Sequence, residues 1–214
     1  MDSLTSGRSG ATGVSAAGLL ALALAVPPAR AQAPGLPLYG GGFTSGVEIG
    51  VAFGFPGRDA RTGAGWLGGV TGTYGFWQAA VTVTAARFDP DSTGSARWSY
   101  GVMAGVMVLG DPLSPFALYA QAGAGHLEPD QQVYPLGTAM TLTIPTPLLS
   151  IRPWIAPRVD VTHSSSQGAS SDDLLFAYSA RIDLSLLNGL SFRAMYDKVE
   201  HWDGVAGLGV AFHF

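Results

Sequence analysis

From about position 42 onward, the chain alternates between apolar side chains and polar or small ones. The alternation has a period of two and extends over segments of about 10–13 residues, which is typical of transmembrane β-strands. The last segment is the clearest, because its apolar residues share one face: Ala206, Leu208, Val210, Phe212 and Phe214. No segment keeps a helical period. The pattern therefore predicts an all-β domain over residues 42–214.

Two features favour a membrane barrel over a soluble β-sandwich, whose strands also alternate. The apolar faces are continuous and carry aromatic residues at the segment ends, as in the girdles of transmembrane barrels: Trp66, Trp98, Tyr100, Phe116, Tyr134 and Trp202. The opposite faces carry mainly Gly, Ala, Ser and Thr, with isolated Arg and Asp. A soluble protein would instead direct Lys and Glu to water, whereas this chain has a single lysine, Lys198.

The connections between the segments predict the number of strands. Longer, charged connections fall at residues 56–63, 89–96, 127–132, 163–173 and 198–204. Shorter ones fall at residues 75–78, 110–114, 145–149 and 188–189. The last of these is Asn188-Gly189, and Asn-Gly between two alternating segments is the strongest short hairpin signal, because both central residues tolerate positive φ.

Nine connections predict ten strands, at residues 42–55, 64–75, 78–88, 97–109, 115–126, 133–144, 150–162, 174–187, 190–197 and 204–214. Eight strands is the alternative, if two of the weaker middle segments are loops. In bacterial transmembrane barrels the short turns face the periplasm and the longer loops face outward. The prediction is therefore an antiparallel up-and-down transmembrane β-barrel in the outer membrane, with both termini in the periplasm.

The composition agrees with apolar character dispersed over strands. Charged residues make up 12% of the chain, against roughly 25% in globular proteins, and mean hydropathy is +0.27. The longest apolar stretch, Ala16–Val26, is about half as long as the roughly 20 residues of a membrane-spanning helix. The chain has no cysteine, which excludes disulfides, thiolate metal sites and a lipid-anchored cysteine.

The N-terminal segment predicts export. Arg8 precedes the apolar stretch at residues 16–26, two prolines end that stretch, and Ala29-Arg30-Ala31 is a small-x-small cleavage site. Cleavage after Ala33 is disfavoured because Pro34 would follow the cut, and an uncleaved anchor is the alternative interpretation. We thus expect a signal peptide at residues 1–31, a periplasmic linker at 32–41 and the barrel at 42–214.

If the apolar faces contact lipid, the opposite faces direct four arginines and four carboxylates into the lumen: Glu48, Arg152, Arg158, Asp160, Arg181, Asp183, Arg193 and Asp197. Such charges must be paired or hydrated, because burying them unpaired is costly. Glycines on other strands leave room for long arginine side chains: Gly46, Gly50, Gly101, Gly105, Gly123, Gly125, Gly207 and Gly209. We expect a salt-bridge network that fills and rigidifies a narrow lumen. A gate or small-solute pore is the alternative.

Signals for catalysis are weak. His163 precedes three serines, Asp172 and Asp173 follow in the same predicted loop, and His201 and Asp203 lie in the last one. Outer-membrane lipid A deacylases and barrel proteases also place His with Ser or Asp near the outer rim, so a lipid-modifying enzyme is a remote alternative. Only residue type and location match, however, and alternation places His163 on the lipid-facing side. We expect no enzyme, no metal site and no cofactor.

The alternation, the loop asymmetry and the C-terminal segment together resemble the small outer-membrane barrels typified by the OmpA transmembrane domain and OmpX. The resemblance covers residues 42–214, and we expect no OmpA-like peptidoglycan-binding domain after them. Its most specific part is the terminal aromatic residue with apolar residues at alternate positions before it: Leu208, Val210, Phe212 and Phe214. In this group such a segment is read by the barrel assembly machinery.

The resemblance also implies the partners. We expect outer-membrane lipid and lipopolysaccharide around the barrel, the assembly machinery during insertion, and a monomeric state. The net charge of −4 gives no support to nucleic-acid binding. The group includes adhesins, stability proteins, small pores and a few enzymes, and the sequence favours a structural or surface role.

Overall fold

The computed structural model describes residues 46–57, 65–90, 95–110, 114–127, 131–166 and 169–214. The predicted signal peptide, the linker and the first four residues of the predicted first strand lie outside the described residues. In the described part of the chain, no helix is long and apolar enough to cross a membrane.

The described residues form ten long strands and one two-residue strand. They are β1 (Gly46–Pro56), β2 (Gly65–Phe76), β3 (Ala79–Pro90), β4 (Arg97–Leu109), β5 (Phe116–Leu127), β6 (Gln131–Leu142), β7 (Ile144–Pro145), β8 (Leu149–Ser166), β9 (Ala169–Leu186), β10 (Leu190–Val199) and β11 (Val205–His213). The two-residue β7 pairs with β8 in the register of β6, so it continues that strand.

The sheet closes on itself. Consecutive long strands pair antiparallel, β6 pairs with β8, and β1 pairs with β11. The structure is therefore an all-β antiparallel barrel of ten long strands, which confirms the predicted fold and count and rules out the eight-strand alternative. Closure matters in lipid because it leaves no sheet edge within the barrel wall.

The register fixes the tilt of the strands. A row of paired residues that starts at Val51 on β1 and runs through β2 reaches Asp172 on β9. The row that starts at Val51 and runs the other way reaches Leu184 on the same strand, twelve residues further along. A stagger of this size requires strands tilted by roughly 40° to the barrel axis.

The outward face is apolar around the barrel, as the alternation predicted. Large hydrophobic side chains alternate outward along β1, and Val51 is 48% exposed at the middle of that row. The predicted girdle residues are also exposed, at 37–45%: Trp66, Trp98, Tyr100, Phe116, Tyr134 and Trp202. An exposed apolar surface that surrounds the molecule needs lipid rather than water.

The two ends of the barrel differ. We call the end that carries the connections after β1, β3, β5, β8 and β10 the loop end, and the opposite end the turn end. At the turn end, β2 and β3 are joined by the two residues Trp77 and Gln78, and Trp77 has a φ of 54° and is 70% exposed. Asn188-Gly189 lies between β9 and β10 as predicted, and Gly189 has a φ of 86°.

One predicted loop is wrong. Residues 163–173 were expected to be irregular, but β8 continues to Ser166 and β9 begins at Ala169, and these two residues are themselves paired. Serine is a common loop residue, yet here the serine-rich segments pair with each other as two strands. Both strands have 18 residues, well above the roughly 9–11 that span a bilayer. We call the ring of outward-facing apolar side chains around the barrel the belt. The hairpin therefore projects beyond the belt at the loop end.

Candidate functional site

The eight charged residues that the alternation directed inward are buried or partly buried. The eight residues lie at inward positions of β1, β8, β9 and β10. Six are buried, with 2–8% exposure: Arg158, Asp160, Arg181, Asp183, Arg193 and Asp197. Glu48 and Arg152 are partly buried. Because β8, β9 and β10 are neighbours and only β11 separates β10 from β1, the charges line one wall.

Arg158 organises the cluster nearer the loop end. Its Nε donates to Asp160 at 2.8 Å, and its two terminal nitrogens donate to the carboxylate oxygens of Asp197 at 2.7 and 3.1 Å. Ser179, on the strand between them, accepts from Arg158 at 2.6 Å and donates to Asp197 at 2.5 Å. This bidentate geometry satisfies the guanidinium and the Asp197 carboxylate together, which is what buried ions require.

A second cluster lies nearer the turn end. Arg193 on β10 contacts Glu48 on β1 at 2.5 Å and Asp183 on β9 at 3.4 Å. Asp183 also pairs with Arg181, two residues earlier on its own strand, at 2.8 Å. Arg152 stands directly opposite Asp183 in the β8–β9 register. Three arginines and two carboxylates therefore share this half, while one arginine and two carboxylates share the other.

Glycine leaves the space through which Arg193 reaches β1. A Cβ built on Gly50 would lie 2.8 Å from the Thr71 hydroxyl and 3.3 Å from a terminal nitrogen of Arg193. The strand between them, β11, presents Gly209 opposite Arg193, so no side chain projects from that position beside the arginine. The missing Cβ atoms thus allow an ion pair between strands that are not neighbours.

Apolar side chains pack beside the charged residues, and some of them come from the same strands, such as Trp154 and Ala156 on β8. Near the turn end, Trp154 and Tyr119 are 4% and 3% exposed and pack with Met103, Ala117, Ala139 and Ala156. The guanidinium carbon of Arg181 lies 5.4 Å from the centroid of the Trp154 ring, a cation–π distance. This contact joins the apolar cluster to the ionic one.

A second apolar cluster lies nearer the loop end. Phe88 and Leu67 are each 1% exposed and pack with Ala52, Ala86, Met195 and Val205. Each half of the lumen therefore contains one ionic cluster and one apolar cluster.

The buried aromatic residues of the lumen are what sequence reasoning missed. The inward faces were expected to be small and polar, but Phe88, Tyr119 and Trp154 point inward beside Ala, Gly and Arg. A signal was present, since each stands at the inward parity of its strand: Phe88 follows Ala86 by two residues, and Trp154 follows Arg152 by two. The parity, followed strictly through β3, β5 and β8, would have placed all three inside.

The histidine and serine considered for catalysis lie on opposite faces of β8. His163 faces outward, and its Nδ1 lies 2.5 Å from a carboxylate oxygen of Asp172 on β9. Ser164 instead accepts a hydrogen bond from the Gln131 side-chain amide at 2.9 Å, on the inward face. Adjacent strand residues point apart, so these two cannot form a nucleophile–base pair. The side chains of Ser165 and Ser166 lie outside the described residues.

Of the remaining candidates at the loop end, His201 contacts the residue before it in the chain. His201 Nε2 lies 3.3 Å from a carboxylate oxygen of Glu200, and both side chains are exposed. Within the described ranges, no three His, Asp or Glu side chains converge on a position that could hold a metal ion.

The predicted assembly segment forms the outward face of β11. Its apolar residues are 37–61% exposed: Leu208, Val210, Phe212 and Phe214. Recognition of this segment by the barrel assembly machinery stays a prediction.

No protein-family model matches the chain, and no curated protein matches it. Among solved structures, the KdgM porin in complex with disordered oligogalacturonate is 10% identical, with a TM-score of 0.45 over 78% of this chain and 99% of that one. Omp33 of Acinetobacter baumannii is 14% identical, with a TM-score of 0.37 over 81% and 100% of the two chains. Neisserial surface protein A is 14% identical, with a TM-score of 0.36 over 78% and 96%.

These likenesses are distant, and the fold is established by the strand pairing of this chain itself. A barrel that satisfies its backbone by closure, surrounds itself with apolar side chains and turns its charges inward meets the physical demands of a bilayer. The chain has the fold of a small ten-strand outer-membrane β-barrel.

Proposed function

We propose that this protein is a structural or surface barrel of the outer membrane whose lumen is closed by its own side chains. The observation that carries the proposal is the set of buried inward side chains in both halves of the barrel. Each half contains an ionic cluster with buried members and an apolar cluster that is at most 7% exposed.

The pairing of the charges supports closure. An open aqueous channel hydrates its charges, so it needs no ion pairs between distant strands. Here Arg158 donates hydrogen bonds to Asp160, Ser179 and Asp197, and Arg193 reaches across a strand to Glu48. Each guanidinium therefore occupies space that water or solute would need.

The width of the barrel supports the same conclusion. Strand spacing and tilt for ten strands correspond to roughly 20 Å between opposite backbones. Side chains from both walls can fill that width, whereas porins with an aqueous channel use about 16–18 strands.

Conductance of the purified barrel in planar bilayers tests the proposal. We expect the wild type to show no large, steady conductance. We expect Arg158→Ala, Arg181→Ala and Arg193→Ala to raise conductance, since each removes a side chain that fills the lumen. Arg87→Ala is the matched control, because Arg87 is half exposed and pairs only with Asp89 in the described contacts.

The outcomes separate the candidate functions. A large, steady conductance of the wild type would contradict a closed lumen and favour the small-solute pore. Silence in all variants would mean that the apolar clusters close the lumen without the arginines. Equal conductance of Arg87→Ala and the lumen variants would show that the increase does not come from the lumen.

A further inference from the structure

The hairpin of β8 and β9 has one open edge at the loop end. The pairing of β9 with β10 ends at Ala177 opposite Val199, although β9 begins at Ala169. Beyond that point Phe176 exchanges two hydrogen bonds with Glu200: its carbonyl accepts from the Glu200 amide at 2.8 Å, and its amide donates to the Glu200 carboxylate at 3.3 Å. No strand among the described residues lies beside residues 169–175 on this side.

The register identifies which backbone groups face the open edge. The amide and carbonyl of Phe176 point away from β8, toward Glu200. The Asp173 carbonyl accepts from the Thr162 hydroxyl at 3.4 Å, so Asp173 points toward β8. Because direction alternates along a strand, Leu174 and Asp172 present their amides and carbonyls to the open side. An unpaired row of this kind is a template for another strand.

The side chains around the open edge are mainly acidic, so they favour a positively charged ligand. Asp172 and Asp173 lie on the edge strand and are exposed, and Glu200 and Asp203 lie in the adjacent connection. Lys198 donates to the Trp202 carbonyl, and the two histidines beside the edge each contact a carboxylate: His163 contacts Asp172 and His201 contacts Glu200. Carboxylates therefore outnumber cations among the described groups here. Leu174, 71% exposed, adds an apolar contact.

We propose that this edge binds an extended, basic polypeptide segment by strand addition. Main-chain hydrogen bonds to Asp172 and Leu174 would hold the segment, and its cationic side chains would meet the acidic residues around the edge. The site lies outside the belt, so it is independent of whether the lumen conducts.

The charges argue against a second copy of the chain as the occupant. A symmetric antiparallel pairing of two such edges that used both Asp172 and Leu174 would be centred near Asp173. It would place like carboxylates directly opposite or next to each other, which destabilises a strand pair. A basic segment meets no such repulsion.

Binding of synthetic peptides to the full chain in nanodiscs tests the proposal. The probes are a fluorescent octapeptide of alternating threonine and lysine, the same peptide with glutamate for lysine, and the lysine peptide N-methylated at alternate residues along one edge. We expect the lysine peptide to bind, the glutamate peptide not to bind, and N-methylation to weaken binding by about tenfold or more, since several backbone bonds are lost.

Two variants locate the site. In Leu174→Pro the lost amide faces the open edge, where proline is tolerated, so we expect binding to weaken by about fivefold while the barrel stays folded. Leu174→Val keeps both the amide and an apolar side chain, so it should bind like wild type. Retention of the barrel fold is checked by heat-modifiable gel mobility.

Three results would overturn the proposal. The first is no binding of the lysine peptide. The second is binding that is unaffected by both N-methylation and Leu174→Pro, which would be adsorption by charge alone. The third is concentration-dependent dimerisation that Leu174→Pro abolishes, which would make a second copy the occupant.

Discussion

Arg158 shows how a single side chain can satisfy a buried charged cluster. Its fork of donors meets Asp160, Ser179 and Asp197, which come from three different strands. Lysine could not replace it, because an ammonium lacks the planar geometry that two carboxylate oxygens accept at once. The residue therefore links β8, β9 and β10 through side chains in addition to their backbone ladder.

Arg158→Leu should destabilise the barrel strongly. The change removes the cation that pairs with the buried carboxylates of Asp160 and Asp197, and breaking a buried ion pair costs about 3–5 kcal/mol. Urea unfolding of the protein in lipid vesicles, followed by tryptophan fluorescence, measures the loss in free energy of unfolding. Arg87→Leu is the control, because its pair with Asp89 is exposed on the surface and should cost about 0–1 kcal/mol. Equal losses in the two variants would contradict the importance of the buried cluster.

The β8–β9 hairpin is the element that departs most from the predicted layout. Its tip was expected to be a long loop because serine, histidine and aspartate are common in loops. The residues pair across the hairpin instead, and His163 and Asp172 form one of these cross-strand pairs. Composition describes each residue separately, whereas the ladder depends on which residues the closing barrel places opposite one another.

Shortening this hairpin should leave the barrel folded. Thr162 and Asp173 are cross-strand partners, so Asn-Gly in place of residues 163–172 closes the hairpin with a two-residue turn. We expect the free energy of unfolding to stay within about 1 kcal/mol of wild type, because the removed part lies beyond the belt. The same vesicle unfolding measurement checks this. A loss as large as that of Arg158→Leu would mean that the tip belongs to the cooperative barrel.

At the scale of the whole molecule, the outer surface of the barrel is suited to contact with lipid rather than with water. In water, an exposed apolar belt of this extent would promote aggregation, but in a bilayer it is matched to its surroundings. The tilt of the strands raises β8 and β9 at the loop end, so exposed apolar residues there lie at a different depth from those in the middle of β1.

Arginine substitutions at two depths test this arrangement. Val51→Arg, in the middle of the outward row of β1, should cost about 2–4 kcal/mol, whereas Leu174→Arg, at the loop end, should cost about 0–1 kcal/mol. Both native side chains are exposed, at 48% and 71%, so exposure alone cannot cause the difference. Unfolding in vesicles gives both values, and a near-neutral Val51→Arg would contradict burial in lipid.

The lumen charges show which features of the candidate site can be predicted from the sequence. Alternation placed all eight of them inside, because the period of two is a local property of a strand. It did not pair Arg158 with Asp197 or Arg193 with Glu48, since each pair joins strands that are not neighbours. Those contacts depend on the stagger of the strands and on glycines such as Gly50 and Gly209, which only the closed barrel brings beside an arginine.

The sequence by itself determined the alternating faces, the ten strands and the lipid-facing side, because each follows from a short-range pattern or from the spacing of turns. The tertiary structure decided the register around the ring, the division of the lumen into ionic and apolar clusters, and the extension of β8 and β9 beyond the belt. Those features require the first and last strands to meet. Closure couples residues far apart in the chain, and no local pattern records that coupling.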